Sequence, residues 1–282
     1  MPESPSPLDD PANTVGPART PANRSLDAAG SIHDDATAQR LGFRGGTVAG
    51  NVHLDQFPPL LVDAFGPAWF ERGTLSMYFR TPTTHLEPVQ VVHDPATSNA
   101  WVVTPAGTIV AEGEAGIDIE PGSTRLRRRD RHEVPVSSLT LLGDLPVGTD
   151  LDAGDTVVDH ERQLALLASP DLLTEPLDWY GDASPWGPPI ACPSVAVDTL
   201  WAPFERSLNG TVGRAVGLYG AIELRFERGP LTVGTSYGLQ GRVVAVSDSP
   251  RTEIFWAETQ ATDEDGPVAT LLMMIRLVKP TD

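Results

Sequence analysis

One cysteine, Cys192, is the only thiol in this 282-residue chain. No intramolecular disulfide can form, and the fold needs no oxidising compartment. No apolar run reaches the roughly 18 residues of a membrane span. The Pro-, Ser- and Asp-rich start carries no apolar signal core. A cytoplasmic protein without membrane contact is the expectation. Basic residues are scarce as well: 20 Lys and Arg stand against 38 Asp and Glu, for a formal net charge of −18. Such a field repels nucleic acid, and it repels acidic ligands too unless a local basic patch exists. The six histidines are scattered and show no metal-ligand spacing. There is no glycine-rich dinucleotide or phosphate loop and no Gly-x-Ser-x-Gly elbow. No metal and no cofactor are expected.

What is present fits a folded chain of short elements. Hydrophobic residues make up 40%, and 26 Gly with 27 Pro imply many turns. Residues 1–12 read as a disordered tail. Ser31 is placed to cap a short helix by accepting from the Asp34 amide, with Asp34 and Asp35 at its positive end and Gly42 as its stop. From Asn51 to Ala64 the apolar content suits a buried helix, which Pro58 and Pro59 must break or restart. Runs at 75–82, 89–92, 100–103 and 108–119 are rich in Val, Ile, Thr and aromatics and are split by turn residues, as in an antiparallel meander. The plan then recurs. Residues 188–198 lie over 45–55, Phe226 over Phe79, and strand-like runs follow at 241–247, 252–260 and 268–277. This predicts an internal duplication, with one unit over 13–121, a linker over 122–148 and a second unit over 149–282. The basic run Arg125–Arg131 is either a solvated part of that linker or a phosphate clamp.

Within the first buried segment, His53 and Asp55 are polar residues that need a partner or a cavity. Asp198 repeats Asp55, whereas Ala196 stands where His53 would recur. The residue present in both copies reads as structural, and the one present in a single copy reads as functional.

The order Ser31-Ile32-His33-Asp34-Asp35, then Gly42-Phe43, then Gly45-Gly46-Thr47-Val48-Ala49-Gly50 resembles the MaoC-like, or hydratase 2, group. Its pattern is Asp-x-Asn-Pro-Ile/Leu-His-x-Asp, a short helix, Gly-Phe, and a closing His-Gly. Here Ala28 stands where that group has its acid, with Asp27 one residue further off, and Ala49 replaces the closing histidine. The resemblance implies an α+β double hot-dog fold: two tandem units, each with a central helix wrapped by an antiparallel sheet. It also implies a hydratase or dehydratase, a carbon–oxygen lyase acting on a β-hydroxy or α,β-unsaturated carbonyl compound such as an acyl thioester. On this reading His33 is the general acid/base, with His53 as a second candidate. Asp27 or Asp55 orients the histidine or the water. The Gly50 amide binds the carbonyl oxygen, with Asn51 beside it. Tyr78 stands at the family's arginine position, with Arg80 nearby, and both are substrate-binding candidates. Trp186, with Trp179 and Tyr180, is expected to wall the acyl cleft. The second copy has no histidine near Pro176, so its site reads as degenerate. Two other readings stay open: a thioesterase using Asp55, and a non-catalytic acyl-binding or partner subunit. The expected partners are a small-molecule substrate, coenzyme A- or carrier-linked, and either a second copy of the chain or a related subunit.

Overall fold

A computed structural model describes residues 6–212 and 215–280. Its first elements are strand β1 (Thr14–Val15) and helices α1 (Asp35–Arg40), α2 (Gly50–Leu54), α3 (Pro58–Phe65) and α4 (Ala68–Arg72). Strands β2 (Gly73–Phe79), β3 (Gln90–His93), β4 (Asn99–Val103) and β5 (Ile109–Ile117) complete the first unit. The second unit contains β6 (Asp150–Val157), α5 (His160–Leu167), α6 (Pro193–Val212), β7 (Gly217–Phe226), β8 (Ser236–Asp248), β9 (Thr252–Asp263) and β10 (Gly266–Val278).

All ten strands form one antiparallel sheet in the order β1-β3-β4-β5-β2-β7-β10-β9-β8-β6. The left half of that order mirrors the right half, so the duplication is visible as a pseudo-twofold axis between β2 and β7. These strands pair from Thr74↔Arg225 to Tyr78↔Ala221. Each half alone would leave β2 or β7 as a bare edge, and the fusion pairs the two edges with each other.

The prolines act as expected. Helix α2 ends at Leu54, and Pro58 and Pro59 open α3 at its first two positions, where a missing amide leaves nothing unsatisfied. Two local expectations are corrected. The N-cap of α1 is Asp34, whose carboxylate accepts from the amides of Ala36 and Thr37. Ser31 instead accepts from the amide of His33 at 3.1 Å, because the chain still turns there and the helix has not begun. Of the supposed tail, residues 1–5 lie outside the described residues, but Pro7–Asp9 form one 3-10 turn capped by Ser6.

The linker is docked on the back of the sheet. Leu126 packs with Ala221, Trp256, Leu272 and Met274 on the face away from the helices. Arg127 donates to buried Glu223 at 2.6 Å and to Glu258 at 2.5 Å. Buried Glu253 accepts from the amides of Thr140, Leu141 and Leu142. With helices on one face and the linker on the other, β10 is covered on both sides, and its residues Val268–Met274 are all buried. Among the described residues, no helix is long and apolar enough to cross a membrane.

The helices of the two units are joined by a reciprocal pair of carboxylates. Asp55, capping the end of α2, accepts from the Ser194 amide at the start of α6 at 2.7 Å and from Arg24 at 2.8 Å. In the second copy Asp198 occupies the place of Asp55, and Ser194 that of Asn51. Asp198 accepts from the Asn51 side chain at 3.2 Å and pairs with Arg162 at 2.7 Å. Each unit thus uses its own arginine and aspartate to reach the first turn of the other unit's helix.

Candidate active site

A cleft of about 1000 Å³ lies where the two units meet. The first unit contributes the loop around His33, the start of α2 and the end of β2. The second contributes one face of α6 and the ends of β7 and β10.

His33 is half-buried on this cleft and held on three sides. Its ring Nδ1 lies 2.7 Å from the Thr47 carbonyl. A carbonyl can only accept, so Nδ1 donates to it, and in the neutral form of the ring the lone pair lies on Nε2. Its own carbonyl accepts from the Asn23 side chain at 2.8 Å. Gly46 passes so close that a Cβ there would sit 2.1 Å from the His33 oxygen. Asp35 fixes that passing strand by accepting the Gly46 amide at 2.6 Å. The two aspartates after the histidine are therefore fasteners: one caps α1 and the other ties the glycine turn.

His53 lines the floor of the cleft and is fully buried. It meets Thr83 Oγ1 at 3.0 Å through Nε2 and the Gln56 amide at 3.5 Å through Nδ1. Burial, with the positive charge of Arg24, lowers its pKa to about 4. At neutral pH it is an uncharged imidazole that holds no spare proton. Gly50 opens α2, whose N-cap Ala49 supplies no side-chain acceptor. The ring of Phe79 lies where a side chain at position 50 would go, 2.5 Å from an added Cβ.

Four expected site residues are placed elsewhere. Asp27 is exposed and makes no bond to His33, because residues 24–30 turn outward before the histidine returns. Asp55 does not line the cleft, and both its oxygens serve the α2–α6 junction. Asn51 is likewise turned onto Asp198. Trp186 donates to Glu71 at 3.1 Å and packs edge-on against Trp179 and Phe70. Trp69, Phe70 and Phe226 complete that cluster. Phe226 is the repeat of Phe79, so these rings fill the position that the cleft occupies in the first unit. Tyr78 and Arg80 do line the cleft, at its far rim.

Three lining residues escaped the sequence reading. Glu205 lies on α6 with Trp201, Leu208 and Val212, at helical spacing along one face. A carboxylate on an otherwise apolar stripe was the signal available. Tyr219 stands beside it, and burial pushes its phenol above the ordinary range. Arg276 comes from β10, and nothing in its local sequence sets it apart.

The chain matches no family model and no curated protein. Among solved structures it is similar to a proposed MaoC domain protein dehydratase from Chloroflexus aurantiacus J-10-fl, at 12% identity, TM-score 0.61 and 99% coverage of both chains. A conserved hypothetical protein of Mycobacterium tuberculosis with a double hot-dog fold is similar at 11% identity and TM-score 0.58, covering 97% of this chain and 98% of that one. A MaoC-like dehydratase is similar at 14% identity and TM-score 0.54, covering 95% and 98%. The chain has the double hot-dog fold seen in the MaoC-like dehydratases.

Proposed function

We propose that the protein is a hydratase or dehydratase of β-hydroxy or α,β-unsaturated acyl thioesters, working in this cleft with His33 as its acid/base. The observation that carries this is the Nδ1 contact of His33 with Thr47, which leaves an oriented lone pair on Nε2 at the cleft wall. Two further features support it. The amides of Gly50 and Asn51 open α2 without a side-chain cap, and they suit an oxygen on which negative charge develops. Glu205 lines the cleft from the other unit and is the second proton-handling group.

In the dehydration direction, Nε2 removes the proton from the carbon next to the thioester. Charge moves onto the thioester oxygen, which the α2 amides receive. The carbon–oxygen bond one carbon further on then breaks, and Glu205 protonates the departing hydroxide to give water. Hydration is the reverse. His53 orders Thr83 and Gln56 beneath the site and moves no proton at neutral pH. The thioesterase reading loses its carboxylate, since Asp55 is spent on Arg24 and Ser194.

The test is mass spectrometry of a panel of enoyl and 3-hydroxyacyl thioesters incubated with wild type and His33→Ala. Gain or loss of water is expected, with kcat/KM lowered about 10²–10⁴-fold in the variant. Free acid as the product would move the assignment to hydrolysis. No turnover of any member would leave a binding subunit.

A further inference from the structure

The cleft does not stop at the helical face of the sheet. Pairing between β2 and β7 ends at Tyr78↔Ala221. Beyond that point Phe79 pairs only with β5, and the first residues of β7 pair only with β10. The sheet parts at its centre, and the cleft is lined from both of its faces. His33, His53 and Phe255 come from the helical side, whereas Tyr78 packs with the cluster on the opposite face. Arg276 alternates with Ile275 and Leu277 of the main core, so it too points to that opposite face, where it donates to Tyr78 Oη at 2.8 Å.

Three guanidinium groups surround this phenol. Arg129, from the docked basic run, lies 4.2 Å from the ring centroid, and Arg80 lies 5.0 Å away. Arg80 is paired with Glu112. Arg276 and Arg129 have no carboxylate partner among the described residues, in a chain with almost twice as many acids as bases. The half-buried Arg24, Arg127 and Arg225 each have one at 2.6–2.8 Å. The half-buried Arg276 guanidinium is unfavourable without an anion unless a ligand supplies one, and the exposed Arg129 adds positive charge beside it. The Tyr78 hydroxyl, accepting from Arg276, keeps its own proton to donate to the same anion.

We propose that Arg276, Arg129 and Tyr78 bind an anionic group, phosphate or carboxylate, at the far end of a ligand whose reacting carbon lies at His33. This rests on the reading of the cleft as an acyl-thioester site, and it adds the requirement for a second, charged recognition point across the sheet. The phosphates of a coenzyme A-type carrier and a carboxylate ending the acyl chain share this chemistry.

Calorimetric titration with unreactive probes separates them: coenzyme A against pantetheine, and the succinyl against the butyryl thioester of N-acetylcysteamine. One charged probe is expected to bind about tenfold more tightly than its neutral counterpart. That preference should vanish in Arg276→Gln, survive in part in Arg276→Lys, and shrink in Arg129→Gln, while the neutral probes bind all variants alike. A preference confined to coenzyme A assigns a carrier phosphate, and one confined to the succinyl probe assigns an acyl carboxylate. No preference in either pair, no binding of any probe, or a preference untouched in Arg276→Gln would overturn the proposal. Because the probes are saturated, charged-probe binding without turnover of any enoyl thioester would fail the lyase reading and leave this one standing.

Discussion

Two histidines of the cleft show how burial divides one residue type into two roles. His33 is half-buried and oriented by a carbonyl, whereas His53 is enclosed and neutral. The enclosed one carries a pH cost. Its pKa is lowered from 6.5 to about 4, so above pH 6.5 neither folded nor unfolded chain holds the proton. As pH falls below 6.5 the unfolded chain takes it up first, and stability drops until about pH 4, by about 3 kcal/mol in full. Asp198 runs the opposite way. Burial raises its pKa from 3.8 to about 6, against the pull of Arg162. Its ionised form is a burden above pH 6, and that burden lifts as the folded chain is protonated between 6 and 4. The two groups offset each other over the same interval. Asp198→Asn should therefore exceed wild type in stability by about 2–3 kcal/mol at pH 8, and the difference should fade towards zero at pH 4. Urea unfolding of both proteins at pH 8, 6 and 4.5 reads this directly, and a difference independent of pH would refute the assignment of the titrating group.

At the scale of elements, the α2–α6 junction explains why an aspartate recurs while a histidine does not. Asp55 has 1% exposure and joins three chain segments through Arg24 and Ser194. Asp55→Ala leaves the Arg24 charge without its counter-ion and the Ser194 amide without its acceptor. It should lower stability by about 3–5 kcal/mol, measured by denaturant unfolding. Where the variant stays folded at low temperature, turnover per folded molecule should persist, and its complete loss there would restore a catalytic aspartate. The repeat pointed to architecture, because the residue is kept in both copies, while the family resemblance offered the same aspartate for catalysis. The prolines at 58 and 59 and the valine-rich runs were legible too, since local chemistry sets those boundaries. The placement of Asp27 was not. Whether a carboxylate six residues before a histidine returns to it depends on how residues 24–30 turn, and that turn starts from Arg24, which reaches Leu172 and Ser194, 148 and 170 residues away. Arg276 was illegible for the same reason, since its partner Tyr78 lies across the central strand pair.

The whole molecule is a duplication that has become asymmetric, and its aromatic residues mark where. Sequence order showed two copies and a missing histidine in the second. It did not show whether the second cleft had become a substrate wall or had closed, because Trp179, Tyr180 and Trp186 suit either outcome. Their packing decides it. Phe70 and Tyr180 are fully buried, and the rings of Phe70, Trp179 and Trp186 meet edge-on at centroid distances of 5.7–6.2 Å. Phe226, the counterpart of the cleft-lining Phe79, lies among them. A closed second cleft stabilises the fold through apolar burial and leaves the first unit's cleft as the open one of the pair. Trp186→Ala should then behave as a core truncation. Lost packing and the lost bond to Glu71 should destabilise the protein by about 2–4 kcal/mol, with KM for any turned-over thioester unchanged. Equilibrium unfolding and steady-state kinetics on the same preparation separate the outcomes. A raised KM with unchanged stability would place Trp186 back on the substrate and require the second half of the molecule to hold a ligand of its own.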